Sequence, residues 1–174
     1  MAEFQHINAK IFAHEGSTID WHVLIPIFHR WIQQQALPDL LIDVADYAHV
    51  PAGPGVMIIG HDAQYSLDNR QNRLGFVYDR RTACEGSNAD RIRLAYESAL
   101  SAARRLEQEP EINGALRFDE RRVEFWVNDR LLAPNKPEVF EEFESEVSAF
   151  LKSKVGEFAL SRSTDPRDLV RVRT

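Results

Sequence analysis

The sequence predicts an α+β fold: one domain over residues 1–174, with a single mostly antiparallel sheet of about six to eight strands and two or three helices packed on it. Three observations point there. Segments with apolar residues at every second position recur along the chain, as strands require. Between them lie stretches whose apolar residues fall at helical spacing, two of them opened by capping patterns. Connections between neighbouring strand segments are short, as hairpins allow and parallel crossovers do not.

In chain order, residues 4–14 alternate weakly and form the first strand. Ser17 with Asp20 three residues on is a capping-box pattern that opens a helix. Trp21, Leu24, Ile25, Phe28, Trp31 and Ile32 make its apolar stripe, and Pro26 inside that stripe either kinks the helix or starts a fresh one. Residues 40–50 read as a strand with Leu40, Ile42, Val44, Ala48 and Val50 on the apolar side and Asp46 as the exception. Pro51, Gly53, Pro54 and Gly55 then turn the chain, because proline fixes φ and glycine accepts the positive φ of a tight hairpin. Residues 56–59, apolar on both faces, return as a central strand. A symmetric five-residue loop sets Val50 opposite Val56, Tyr47 opposite Ile59 and Ala45 opposite His61.

Polar residues 64–72 loop out, and residues 73–81 form the next strand with Leu74, Phe76 and Tyr78 on one face. Ser87 with Asp90 is a second capping box, and Ile92, Ala95, Tyr96, Ala99, Ala103 and Leu106 form the stripe of the helix it opens. Residues 115–118 and 123–128 make a second hairpin around Asp119, Glu120 and Arg121. Pro137 opens a third helix with Phe140, Phe143, Val147, Phe150 and Leu151 as its apolar face. Glutamates crowd its first half and Lys152 and Lys154 close it, an order that complements the helix dipole. Short strands at 158–162 and 169–173 flank a turn at Asp165, Pro166 and Arg167. A helix, a proline and a strand–turn–strand occur twice, at 21–60 and 90–128, a weak sign of internal duplication.

Composition bounds the function. The chain is 44% hydrophobic and 28% charged, the balance of an ordinary globular protein. Its net charge of −6 argues against a nucleic-acid partner. No apolar run approaches the ~18 residues of a membrane span, and no signal segment is evident at the N-terminus. The lone Cys84 can form no internal disulfide, which agrees with a cytoplasmic protein, and the absence of a CxxC pair excludes a thiolate zinc site. All six histidines, and all of the net negative charge, lie in the first part of the chain. That could favour a divalent cation, but the spacings match no ligand motif.

The densest group of ionisable residues follows the central hairpin: His61, Asp62 and Tyr65, with Asp43, Tyr47 and His49 behind them. An imidazole exchanges protons near neutral pH and a carboxylate can orient it, so these six are the candidate binding residues. The same residues also serve as strand-end hydrogen-bonding groups and turn starters. No catalytic residue or metal ligand is assigned, and the cofactor is unknown. Gly53-Pro54-Gly55 lacks the spacing, lysine and following helix of a phosphate loop. Cys84, between Arg80-Arg81 and a helix start, has the surroundings that favour a thiolate but no neighbouring histidine. Arg80-Arg81 and Arg121-Arg122 are paired bases suited to an anion or to surface ion pairs.

With the segments IPIFHRWI, LLIDVADYAHVPAGPG, IIGHDAQYSLD and VEFWVNDRLLAPN in view, the chain resembles an uncharacterised bacterial protein family with no established activity. The resemblance implies one intact, cytoplasmic bacterial domain and supplies no functional residues. The reading is therefore a non-enzymatic binding or assembly protein, acting through a sheet face or edge on a protein partner or as a homodimer. The alternative is a small enzyme or ligand-binding protein, for a small molecule or divalent cation, around His61, Asp62 and Tyr65.

Overall fold

In the computed structural model, which describes residues 2–156, 158–162 and 169–174, eight antiparallel strands form one sheet and three α-helices pack on it. The chain runs β1 (Ile7–Ala13), α1 (Trp21–Gln34), β2 (Leu41–Tyr47), β3 (Gly55–Gly60), β4 (Ala63–Asp68), β5 (Gly75–Arg80), α2 (Asn88–Glu107), β6 (Phe118–Val127), α3 (Pro137–Lys154), β7 (Ser161–Arg162) and β8 (Arg171–Arg173). Across the sheet the order is β2-β3-β4-β5-β1-β6-β8-β7, a four-strand meander with β1 inserted between β5 and β6. No described helix is long and apolar enough to cross a membrane.

Antiparallel pairing aligns side chains of like orientation into rows across the sheet. One row runs Val44, Ile58, Tyr65, Tyr78, Ala9, Phe125 and Val172. Two residues along, Val56, Leu67, Phe76, Ile11 and Val123 form the next. Both rows face the helices. Phe76 meets Phe28 and Trp31 of α1, each at 6.5 Å between ring centroids. Phe125 stacks on Tyr96 of α2 at 6.4 Å and meets Phe150 of α3 edge-on at 6.2 Å. Each such side chain, fully buried, contributes roughly 1.5–3 kcal/mol, so this face holds the core.

The helices start where their polar residues can cap them. Asp20 accepts a hydrogen bond from the His22 amide at 3.1 Å, so Asp20 is the N-cap of α1. Ser17 instead bonds the backbone of Arg117, which corrects its expected capping role. α1 is a single helix with Pro26 inside it. Ser87 and Asp90 form the expected capping box of α2, and the five apolar residues expected on α3 are its buried ones.

Several local expectations are overturned. Residues 64–68 do not loop out but form β4, a central strand. Residues 118–127 are one continuous strand, not the arms of a hairpin, so the two-fold repeat of helix and hairpin disappears. The β2–β3 register is offset by four residues from the symmetric-loop expectation: Tyr47 faces Gly55 and Ala45 faces Met57, with Val50 in the loop. Gly55 takes φ +68° there, and a β-carbon at that position would lie 1.9 Å from the Leu67 carbonyl oxygen, so the turn needs glycine. A register shift between Leu41 and Asp43 sends Leu41 inward and leaves Leu40 and Ile42 exposed on an edge strand, against the expected apolar face. The expected turn at 165–167 lies outside the described residues.

Candidate functional site

The face of the sheet away from the helices is built from the other half of each strand. Its central row runs Met57, Ser66, Val77, Lys10, Glu124 and Arg173. Asp68 of β4 and Phe12 of β1 both pair with Gly75, and Trp126 of β6 pairs with Arg171 of β8. Most of these positions are polar or charged, yet Lys10, Ser66, Asp68 and Glu124 are all buried. They floor two adjoining cavities of about 400 and 310 Å³ that share Asp68, Arg70, Trp126 and Arg171. The result is one groove across the open face, within the ~300–1,000 Å³ range of small-molecule sites.

Paired charges organise the groove floor. The Lys10 ammonium donates to Asp68 Oδ1, with both side chains about 95% buried. Burial pushes the Lys10 pKa below its ordinary value, against the pull of Asp68 and Glu124. To reach Asp68 on β4, the Lys10 chain crosses β5 at Gly75, where there is no side chain to stop it. Glu124 takes two arginines: Arg171 Nη1 donates to Oε2 at 2.8 Å, and Arg173 donates to Oε1 from Nε at 3.1 Å and from Nη2 at 2.9 Å. Arg171 also lies over the Trp126 ring at 4.8 Å, and Arg73 over the Phe12 ring at 4.1 Å. Burial lowers the Arg73 pKa, helped by the neighbouring Arg173 and Arg122. Asp79, on the wall of the second cavity, is raised by burial against the opposing influence of Asn8, Arg70 and Arg81.

The six residues singled out from sequence are not brought together. His61 and Asp62 form the tight β3–β4 hairpin tip, with the His61 side chain 66% exposed and its Nδ1 3.2 Å from Asp62 Oδ1. Asp62 also accepts from the Thr82 hydroxyl at 2.9 Å, the bond that does most to hold its carboxyl below the usual range. Tyr65 points to the opposite face, into the core, where its hydroxyl donates to Asp39 at 2.5 Å and burial raises its pKa. Asp43 and Tyr47 share the open side of the sheet at the β2 edge, both exposed, and His49 lies in the following turn. No three histidine, cysteine or acidic side chains gather as a metal site among the described residues. Cys84 is half-buried, and its backbone is held by Gln5 and Arg91.

Sequence reasoning missed the groove residues, although a signal was present. Lys10, Glu124 and Arg171 each sit between apolar neighbours within a strand segment, and Arg173 follows Val172, so the polar side of those strands is charged and not merely hydrophilic. Compared with protein-family models, curated proteins and solved structures, the chain matches none, so the likeness to a bacterial family gains no support and the groove has to be read from its own chemistry.

Proposed function

We propose that this protein is a non-catalytic binding protein that receives a small ligand in the groove on the helix-free face of its sheet. One observation carries the reading: that face buries charged side chains under an open cavity instead of exposing them to solvent or covering them with apolar ones. A buried ion pair is a weak source of stability compared with apolar packing of similar volume, so its presence calls for another reason. Of the three carboxylates lining the groove, Asp68 and Glu124 are engaged by cations and Asp79 is held toward its protonated form by burial, so none stands as a free base. The test is native mass spectrometry after incubation with a metabolite extract, comparing wild type with Ser66→Phe, which fills the smaller of the two cavities beside the Asp68, Arg70, Trp126 and Arg171 it shares with the larger. A small-molecule mass excess that Ser66→Phe loses and the distant Leu94→Ala keeps is the expected result. No small-molecule mass excess on the wild type would overturn the reading, and equal retention by a folded Ser66→Phe would move the ligand out of the smaller cavity.

A second reading, self-association through the sheet edge, is favoured by Leu40, Ile42 and Tyr47, which stand 45–58% exposed along β2. Asp43 works against it, because its carboxylate accepts from the Val44 amide at 2.8 Å and occupies that donor. Sedimentation velocity of wild type and Ile42→Lys decides: a dimer dissolved by the lysine supports edge pairing, and a monomeric wild type removes it.

A further inference from the structure

The larger cavity is lined by five cationic side chains (Lys10, Arg70, Arg73, Arg171 and Arg173) and two carboxylates, Asp68 and Glu124, a net +3. That excess lies within a chain whose net charge is −6. Both carboxylates are already committed. Asp68 takes Lys10 and lies 3.6 Å from Arg70 Nε, and Glu124 takes Arg171 and Arg173. Arg73 is left over. Its Nη1 is closed to solvent and has no hydrogen-bond partner among the described residues, so the guanidinium must shift on Phe12 for a ligand oxygen to reach that nitrogen. A buried donor left unsatisfied costs about 1–3 kcal/mol, and more when it is charged. The Arg73 guanidinium lies over the Phe12 ring at 4.1 Å and, unlike Arg105, whose Nε is also unpartnered, it lines the cavity beside four other cations.

We propose that the groove binds a small, multiply charged anion, whose phosphoryl or carboxylate groups are gripped by Arg73 together with the neighbouring arginines. This deepens, and rests on, the reading of the open face as a ligand site. Three features fit that chemistry. A guanidinium presents a planar fork that matches two oxygens of a phosphate or carboxylate. Phe12 and Trp126 hold the Arg73 and Arg171 guanidiniums over their rings, so part of the ordering is complete before a ligand arrives. The cavity, about 400 Å³, admits a small molecule while its mostly paired floor leaves the excess charge to the arginines at its wall.

The test is isothermal titration of the whole protein with pyrophosphate and with citrate, each against sodium chloride at matched ionic strength. Wild type, Arg73→Gln, Arg73→Lys and, as a control away from the groove, Arg30→Gln are compared after circular dichroism has confirmed each fold. Wild type and Arg30→Gln are expected to bind at least one of the two anions, and Arg73→Gln to bind it about ten- to a hundredfold more weakly, the loss of a hydrogen-bonded charge contact. Arg73→Lys keeps the charge without the fork and should fall between. Preference for pyrophosphate or for citrate separates a phosphoryl ligand from a polycarboxylate. Equal affinity in wild type and Arg73→Gln, or no binding of either anion above the chloride control, overturns the proposal. If anion binding fails while the mass-spectrometry test retains an uncharged molecule lost in Ser66→Phe, the groove remains a ligand site and only the anion inference falls.

Discussion

A β-carbon at position 75 would lie 2.5 Å from Lys10 Cε and 2.8 Å from the Ile11 carbonyl oxygen. A lysine chain can swing away, but the backbone carbonyl of a paired strand cannot. Gly75→Ala should therefore cost roughly 1–3 kcal/mol in urea unfolding, the usual range for overpacking, and should dislodge Lys10 from Asp68. An alanine variant as stable as wild type would mean that β1 and β5 part more easily than their pairing suggests. Asp79 offers a second single-residue test, through pH. Burial holds its carboxyl above the ordinary value of 3.8, so the folded protein keeps a proton that the unfolded chain has released. The stability this contributes is present below the unfolded value and is lost as pH rises through the folded one. Asp79→Asn should thus gain stability on wild type near neutral pH, and the gain should shrink as pH falls through the carboxylate range. A gap that widens toward acid would reverse the assignment.

Among the elements, α2 depends on its start. Ser87 Oγ accepts from the Asp90 amide at 3.2 Å while Asp90 Oδ2 accepts from the Ser87 amide at 3.0 Å. Ser87→Ala removes one half of that exchange and should cost about 1 kcal/mol by thermal or urea unfolding. This box was legible in the sequence because both partners are local, and so were the buried stripes of α2 and α3, where a single face meets the core. The strands were legible where their alternation or apolar run is unbroken, as in β1, β3 and β5. β4 reads as a loop because polar residues predominate over 64–72, yet Gln64, Ser66 and Asp68 alternate with Tyr65 and Leu67, the polar set facing the groove and the other set fully buried. β6 reads as two arms because Asp119, Glu120 and Arg121 interrupt its apolar run. They lie where β1 shifts register between Ile11 and Ala13, and Glu120 there meets Arg104 of α2. In both cases tertiary context overrode a correct local observation. The candidate site was hidden for the same reason: its residues come from β1, β3, β4, β5, β6, β8 and the β4–β5 connection, and only the strand order, with β1 between β5 and β6, brings Lys10 within reach of Asp68 and Glu124.

At the scale of the whole molecule, the two faces of the sheet do different work. One carries three helices and an aromatic core. The other buries a lysine, an aspartate and a glutamate under a cavity. If the polar floor existed for stability, an apolar floor of similar volume would be worse; if it exists for a ligand, an apolar floor should be no worse, or better. The Lys10–Asp68 pair separates these cases. Asp68→Asn alone leaves a buried ammonium short of its counter-charge and should cost about 3–5 kcal/mol, the range for breaking a buried pair. The double variant Lys10→Met with Asp68→Leu removes both charges, leaves the net charge of the groove unchanged and keeps similar volume. It should be about as stable as wild type, or up to ~1–4 kcal/mol more so, because the desolvation of two ions is no longer required. Urea unfolding of the three proteins at one pH reads both numbers. A double variant as weak as Asp68→Asn would place the pair among the supports of the fold and remove the reason for assigning the open face to a ligand. Recovery in the double variant would mean that the fold gains nothing from this pair, which leaves the occupant of the groove as the reason it is there.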